Sequence, residues 1–337
     1  MTGVIERFET VSCALCGRSD APEWLRGRDV EFNGRTFFTL VKCRGCGLVF
    51  QSPRPTRSAM PVYYPKAYYT HAPIPPRRLA RTYAHALRLA QTYGRRGPLL
   101  DVGAGDGAFL AALAAAGWPD CEGLEPDEAA RRVAVTRRGL RVAPGAFPDT
   151  RPPRSAYPTI TMLETLEHLH APLAALASAR DSLEPGGRLI LTTPNIAALE
   201  FRLLGARSVS LQLPRHLYFF DAATIEHALV QAGLRPVVLA TSRATDGLTR
   251  SLWLMLRRRL KQPQGTTGNG TGMGVGMGVD TAGADADSAA AAVFEPESWR
   301  RHAHEGLETA LAPLGWLASR WACGPTLLVV AERPGGA

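Results

Sequence analysis

Short apolar runs alternate with amphipathic stretches over most of the chain. The runs at 99–102, 121–125, 140–143, 157–163, 187–193 and 235–240 are strand-like. Between them Ala108–Ala116, Glu128–Arg138, Leu173–Leu183 and Ala222–Ala232 repeat their apolar residues at helical spacing. Such alternation predicts an α/β fold, a largely parallel sheet covered by helices on both faces, with its ligand beyond the carboxyl ends of the strands. A last apolar run, Thr326 to Ala331, predicts a strand returning to that sheet, so 241–325 reads as an insertion within a main domain spanning 95–337. The insertion holds a basic, apolar helix at Trp253–Leu260, a low-complexity tract at 263–292 and a helix from Glu297 to Arg320. Ahead of the main domain, Asn33-Gly34 between two apolar runs predicts a hairpin. Residues 51–76 are rich in proline and tyrosine, and 77–93 follow as a basic helix, so 53–94 reads as linker and helix.

Composition changes this picture in two places. The 337 residues carry 39 Lys+Arg against 30 Asp+Glu, a net charge of +9. That balance permits nucleic acid or an anionic membrane surface as a partner, but arginine- and alanine-rich usage explains it more simply. No apolar run is long enough to span a bilayer and the N-terminus lacks a signal-peptide core, so a cytoplasmic protein with reduced cysteines is expected, with peripheral membrane contact left open. Cys13-Ala-Leu-Cys16-Gly17 and Cys43-Arg-Gly-Cys46-Gly47 then read as a four-thiolate site, the set a structural zinc takes, in a ribbon over 1–52. Four protein ligands leave no open position, so that metal would be structural.

The stretch Leu99-Leu-Asp101-Val-Gly103-Ala-Gly105-Asp-Gly107-Ala108 reads as strand, glycine turn and helix start. A dinucleotide site would place a glycine where Ala108 stands, to seat a helix beside a pyrophosphate. Asp101 ahead of the turn would repel a pyrophosphate and suits a cationic ligand instead. Glu125, at the end of the next strand, is placed to accept two ribose hydroxyls. S-adenosylmethionine offers an amine, a ribose and a sulfonium.

These residues, with Leu163-Glu-Thr-Leu-Glu167-His168, Leu183-Glu-Pro-Gly-Gly-Arg and Pro214-Arg-His216-Leu-Tyr-Phe-Phe-Asp221, resemble the class I S-adenosylmethionine-dependent methyltransferases, the type-11/type-12 branch above all. The resemblance runs from about residue 95 to 240 and includes the final strand. It implies a Rossmann-like seven-stranded sheet of order 3-2-1-4-5-7-6, a cofactor seat at Asp101, Gly103, Gly105, Gly107, Glu125 and Leu163, and adenine packing near Ala146 and Phe147. The N-terminal ribbon is similar to that of sugar C-methyltransferases.

Glu164, Glu167 and His168 share a face if they lie on a helical turn, and His216 can join them from a distant loop. Two carboxylates and two imidazoles suit a second divalent metal, and a similar Glu-x-x-Glu-His binds metal in ubiquinone-pathway O-methyltransferases and small-RNA 2′-O-methyltransferases. Two other readings stand beside it: His168 as a metal-free general base, with His216 and Glu167 assisting, or a cluster that only orders its loop. The expected activity is O- or C-methylation of a small molecule or glycan of secondary or envelope metabolism. The alternative is an RNA-binding or RNA-methylating protein that grips its target with ribbon and basic helix.

Overall fold

The computed structural model describes residues 7–64, 82–261, 310–319 and 322–335. The tract at 263–292, residues 65–76 of the proline- and tyrosine-rich stretch, the start of the basic helix expected over 77–93 and the start of the helix expected from Glu297 lie outside the described residues, while 310–319 are helical.

The chain opens with β1 (Phe8–Glu9), β2 (Glu23–Arg28), β3 (Phe37–Lys42), β4 (Val49–Gln51) and β5 (Arg54–Pro55). The β2–β3 hairpin turns where Asp29 Oδ1 accepts the amides of Glu31 and Phe32 at 2.9 and 3.0 Å, and Asn33 takes the left-handed conformation at φ 58°. Asx turns of this kind let a side chain replace a backbone partner.

The main domain follows with α1 (Ala84–Tyr93), β6 (Leu99–Val102), α2 (Ala108–Ala115), β7 (Cys121–Glu125), α3 (Glu128–Arg138), β8 (Arg141–Pro144), β9 (Tyr157–Leu163), α4 (Pro172–Ser182) and β10 (Leu183–Pro194). It continues through α5 (Leu199–Leu204), β11 (Tyr218–Phe219), α6 (Ala222–Gln231), β12 (Arg235–Thr241), α7 (Asp246–Lys261) and β13 (Thr326–Glu332). The sheet order is β12-β13-β10-β9-β6-β7-β8, with β13 antiparallel to both neighbours. This is the seven-stranded, Rossmann-like arrangement expected from the alternation and from the resemblance. All four residues of β6 are buried, as a central strand covered on both faces requires. The helices start and stop on local signals: Asp127 caps α3 by accepting from Ala130 N–H, Gly139 ends it in the left-handed region, and Asp221 with Thr224 forms a capping box on α6.

The N-terminal ribbon is fused to this domain. Strand β11 pairs antiparallel with β4, Tyr218 opposite Phe50 and Phe219 opposite Val49, so the ribbon's sheet runs β11-β4-β3-β2. Buried Arg54 donates to the carbonyl of His170 at 3.1 Å and to the Tyr218 hydroxyl at 2.8 Å. Cys13, Leu48 and Phe50 share one core cluster with Leu100, Ile160 and Leu191. Residues 54–55, at the start of the stretch read as linker, instead pair with β1.

Where β7 passes the glycine turn there is no room for a side chain. A Cβ on Gly123 would meet Ala104 Cβ at 2.7 Å and Leu110 Cδ1 at 3.1 Å. Gly123→Val is expected to cost about 1–3 kcal/mol through overpacking, lowering Tm by about 2–4 °C per kcal/mol for a domain of this size. Scanning calorimetry checks this, and an unchanged Tm would contradict the close packing.

Candidate functional site

The three glycines of the turn after β6 all have positive φ, 80° at Gly103, 55° at Gly105 and 76° at Gly107, but their surroundings differ. A Cβ on Gly103 would strike Thr165 Oγ1 at 2.5 Å, and one on Gly107 would strike Leu140 Cδ1 at 2.5 Å. Those two glycines are required by packing within the protein. A Cβ on Gly105 would meet nothing within 4 Å. Gly105 is therefore the bare backbone that a ligand can approach.

The acids expected beside this turn lie deeper than the sequence suggested. Asp101 is 3% exposed, and its Oδ1 accepts from the Thr161 hydroxyl at 2.6 Å. Burial pushes its carboxyl up to about 7, with the Thr161 hydrogen bond opposing and the Glu125 charge adding. Glu125 is also buried. Its Oε2 accepts from Gly105 N–H and its Oε1 from Asp127 N–H, both at 2.8 Å, so the carboxylate shapes the glycine turn while keeping lone pairs for a ligand. Burial raises its pKa against those two amide bonds. Phe147 is 1% exposed and packed in the main core beside Leu124 and Val102. Leu163, half-buried at the end of β9, borders a cavity described below.

The second cluster forms where β9 leaves the sheet. Leu166–His168 make a single 3-10 turn. Glu167 and His168 meet His216, with one ligand-type atom from each lying within 4.8 Å of the others. Glu164 stands outside this trio. It precedes the turn in a left-handed conformation, φ 48°, so it does not share a helical face with Glu167 and His168 as expected, although its side chain still bears on Glu167. Glu167 and His216 are each 1% exposed. Glu167 Oε2 accepts from Thr193 Oγ1 at 3.0 Å, Oε1 has no hydrogen-bond donor among the described residues, and His216 Nε2 lies 4.0 Å from Oε1. His216 Nδ1 likewise lacks a partner among them. Burial raises the Glu167 pKa well above the usual carboxylate range, and the neighbouring Glu164 charge raises it further. Burial lowers His168 to about 4, opposed by its hydrogen bond to the Arg215 carbonyl, and lowers His216 well below the ordinary histidine value. Glu167 Oε1 and His216 Nδ1, buried without hydrogen-bond partners, are atoms a divalent cation satisfies, and with the nearby His168 ring they fit such an ion.

A cavity of about 400 Å³ opens beside this cluster. Tyr83, His85, Leu163, Glu164, Thr192 and Arg250 are among its walls. It lies at the carboxyl ends of β9 and β10, where ligands of such sheets bind. Glu164 is the residue that both borders the cavity and acts electrostatically on Glu167.

The four cysteines also meet. Cys13 Sγ lies 3.4 Å from Cys46 Sγ and Cys16 Sγ 3.4 Å from Cys43 Sγ, and all four sulfurs lie within 4.8 Å of one another. Gly17 and Gly47, each following a second cysteine, have φ of 72° and 82°. Gly45 N–H donates to Cys43 Sγ at 3.3 Å. Burial works to raise the Cys43 thiol, yet amide and thiol hydrogen bonds bring it down to about 7. Four converging sulfurs can bind a metal ion.

Sequence reasoning missed Thr161, Thr165, Thr193, Tyr64 and Arg215. Thr165 Oγ1 donates to the carbonyls of Val102 and Leu163, tying the glycine turn to the second cluster. Tyr64 Oη and the Arg215 carbonyl both face His168 Nδ1, at 3.2 and 3.0 Å. Only the adjacency of Arg215 to His216 signalled any of these in advance.

Residues 75–239 match the family model described as a methyltransferase domain. A ubiquinone biosynthesis O-methyltransferase of Bordetella avium is 31% identical over 155 residues, covering 42% of this chain and 63% of that protein. A tRNA U34 carboxymethyltransferase of Klebsiella pneumoniae is 28% identical over 166 residues, covering 46% of this chain and 49% of that protein. The match thus spans about half to two thirds of the length of these relatives. A solved SAM-dependent methyltransferase from Archaeoglobus fulgidus has a TM-score of 0.46 at 15% identity, over 75% of this chain and 94% of that one. No helix among the described residues is long and apolar enough to cross a membrane.

The raised pKa of Asp101 has a definite sign. In the folded protein the carboxyl keeps a proton that the unfolded chain loses above about pH 4, so this group lowers stability progressively as pH rises from about 4 to about 7, above which the penalty is constant. Asp101→Asn retains an acceptor for Thr161 and removes that penalty. The Tm difference, variant minus parent without ligand, is expected to be near zero at pH 4 and positive by several degrees at pH 8. A difference that is flat with pH would show that Asp101 is not held protonated.

Proposed function

We propose that this chain, which carries a methyltransferase domain, transfers the methyl group of S-adenosylmethionine to an acceptor bound in the cavity beside Glu164. The observation that carries the reading is the open backbone at Gly105, flanked by the buried carboxyls of Asp101 and Glu125. A cationic amine near Asp101 would draw out its proton and give the buried carboxylate a partner. Glu125 keeps lone pairs for ribose hydroxyls. Adenine would pack towards Ala146, with Phe147 as the fixed core residue behind it.

Methyl transfer is an in-line displacement at the sulfonium carbon. Holding donor and acceptor in line therefore supplies much of the acceleration. The acceptor must lose a proton if it attacks through a hydroxyl or an acidic carbon, and His168 is the group assigned to take it, with His216 and Glu167 beside it. Glu167, His168 and His216, with Glu164 at the cavity edge, would hold a divalent cation, which when bound supplies Lewis acidity to an acceptor oxygen. The low pKa of His168 keeps the imidazole neutral at pH 7, as a metal ligand needs, and makes it a weaker base than an ordinary histidine until an acceptor binds. Cys13, Cys16, Cys43 and Cys46 would hold a structural zinc, a use of thiols in keeping with the reducing cytoplasm. The hydroxyl side chains in the cavity wall favour a small polyhydroxylated or phenolic acceptor, methylated on oxygen or carbon.

Titration calorimetry with S-adenosylmethionine tests the donor site directly. The parent is expected to bind it and Gly105→Arg to bind at least tenfold more weakly. Equal binding by both would overturn the proposal. Metal analysis of the purified protein is expected to find one zinc per chain that is lost in Cys13→Ser, and a second divalent ion that Cys13→Ser retains and His216→Ala loses.

A further inference from the structure

We propose that the N-terminal ribbon is a positioning element of the methyl-transfer site: Asp29 and Glu31 clamp Arg215, and through it set the orientation of His168 and His216. The inference rests on the reading of His168 as a working group.

Arg215 is 1% exposed. Its guanidinium donates from Nη1 to Asp29 Oδ2 at 2.5 Å and to the Tyr63 carbonyl at 3.3 Å, and from Nη2 to Glu31 Oε2 at 3.4 Å. Its Cζ lies 4.8 Å over the ring centre of Phe32. Asp29, Glu31 and Phe32 all belong to the turn between β2 and β3, so one turn of the ribbon contacts three sides of this cation.

The backbone of the same residue faces the candidate site. The Arg215 carbonyl lies 3.0 Å from His168 Nδ1. A carbonyl can only accept, so Nδ1 carries the ring proton and shares it with Tyr64 Oη at 3.2 Å. The Nε2 lone pair is thereby left free, as a base or a metal ligand needs it. His216, next in sequence, packs edge-on against His168 with ring centres 4.6 Å apart. Moving Arg215 therefore moves one imidazole covalently and releases the other from its acceptor.

Glu31 reaches further. Its other oxygen pairs with Arg250 on α7, and Arg250 forms part of the cavity wall. One ribbon carboxylate thus braces both the histidine pair and the wall of the acceptor cavity.

The test uses the full-length protein labelled with ¹⁵N at its histidine ring nitrogens, with the His168 signals assigned by their loss in His168→Ala. In the parent, His168 is expected to show a protonated Nδ1 and an unprotonated Nε2. Two variants remove the clamp's charge while keeping its shape. Glu31→Gln retains an acceptor, and Asp29→Asn retains the Oδ1 that closes the turn. In either variant the His168 signals are expected to shift towards a mixture of both tautomers, while S-adenosylmethionine binds within about twofold of the parent by calorimetry. Cys13→Ser, remote from His168 and expected to leave any ion there in place, is a third arm and is expected to shift the same signals. An unchanged His168 signature in the folded variants overturns the proposal, as does a shift accompanied by an equal loss of cofactor binding. Full activity in His168→Ala would instead defeat the reading of His168, and the tautomer result would still decide whether the ribbon positions it.

Discussion

A guanidinium cannot be taken out of water without anions to meet it, and one buried arginine governs how this molecule is assembled. Arg215 comes from the main domain, whereas Asp29 and Glu31 come from the ribbon. Neither half can close its interior without the other. The pairing of β11 with β4 adds backbone hydrogen bonds to the same seam, and Arg54 crosses it in the opposite direction to reach Tyr218 and His170. A ribbon tethered by a linker would be free to recruit a partner at a distance. A ribbon stitched by a buried ion network and a shared sheet has its orientation to the main domain fixed, and its chemistry is felt at the residues it touches.

The same electrostatic logic shapes the two candidate ligand sites. Asp101 and Glu167 are both buried acids with raised pKa values, and burial is the leading cause in each. Each lies where the proposed reading puts a cation, the ligand amine for Asp101 and a metal ion for Glu167. A carboxyl held neutral until its cation arrives costs the ligand-free fold less than an ionised one would. The arriving charge then meets an anion that has been stripped of water, where attraction is strong. The histidines beside Glu167 contribute in the complementary way. Burial keeps them uncharged, so they present lone pairs rather than repelling a cation.

Much of the fold was legible in the sequence because it rests on local periodicity. The alternation of apolar runs and helical patterns predicted the strands and the parallel sheet, and the spacing of the cysteines predicted that their sulfurs would meet. The convergence of Glu167 and His168 with His216 was also anticipated, although 48 residues separate the last two. Features that depend on long-range contact were not legible. A two-residue strand such as β11 carries no period, so nothing in Tyr218-Phe219 announced that it would complete the ribbon's sheet. Nothing in the hairpin sequence singles out Asp29 and Glu31, against which Arg215 is brought from 186 and 184 positions away. Glu164 misled for a different reason. Helical spacing assumes that the helix has begun, and the chain is still turning out of β9 at that point.

The glycine turn illustrates how far a motif can be read without its surroundings. Three evenly spaced glycines look equivalent along the chain, and all three do take positive φ. Their neighbours separate them. Thr165 closes over Gly103 and Leu140 over Gly107, so those positions hold the turn against the strand ends and against α3. Gly105 alone of the three faces open space, and Glu125 reaches back to its amide. Because Thr165 also bonds the carbonyls that end β6 and β9, the turn and the Glu167–His168–His216 cluster are held in register by one hydroxyl. The glycine turn and the Glu167–His168–His216 cluster are thus linked by a single short path through the protein, and the contacts of the ribbon with Arg215 reach that path from the far side.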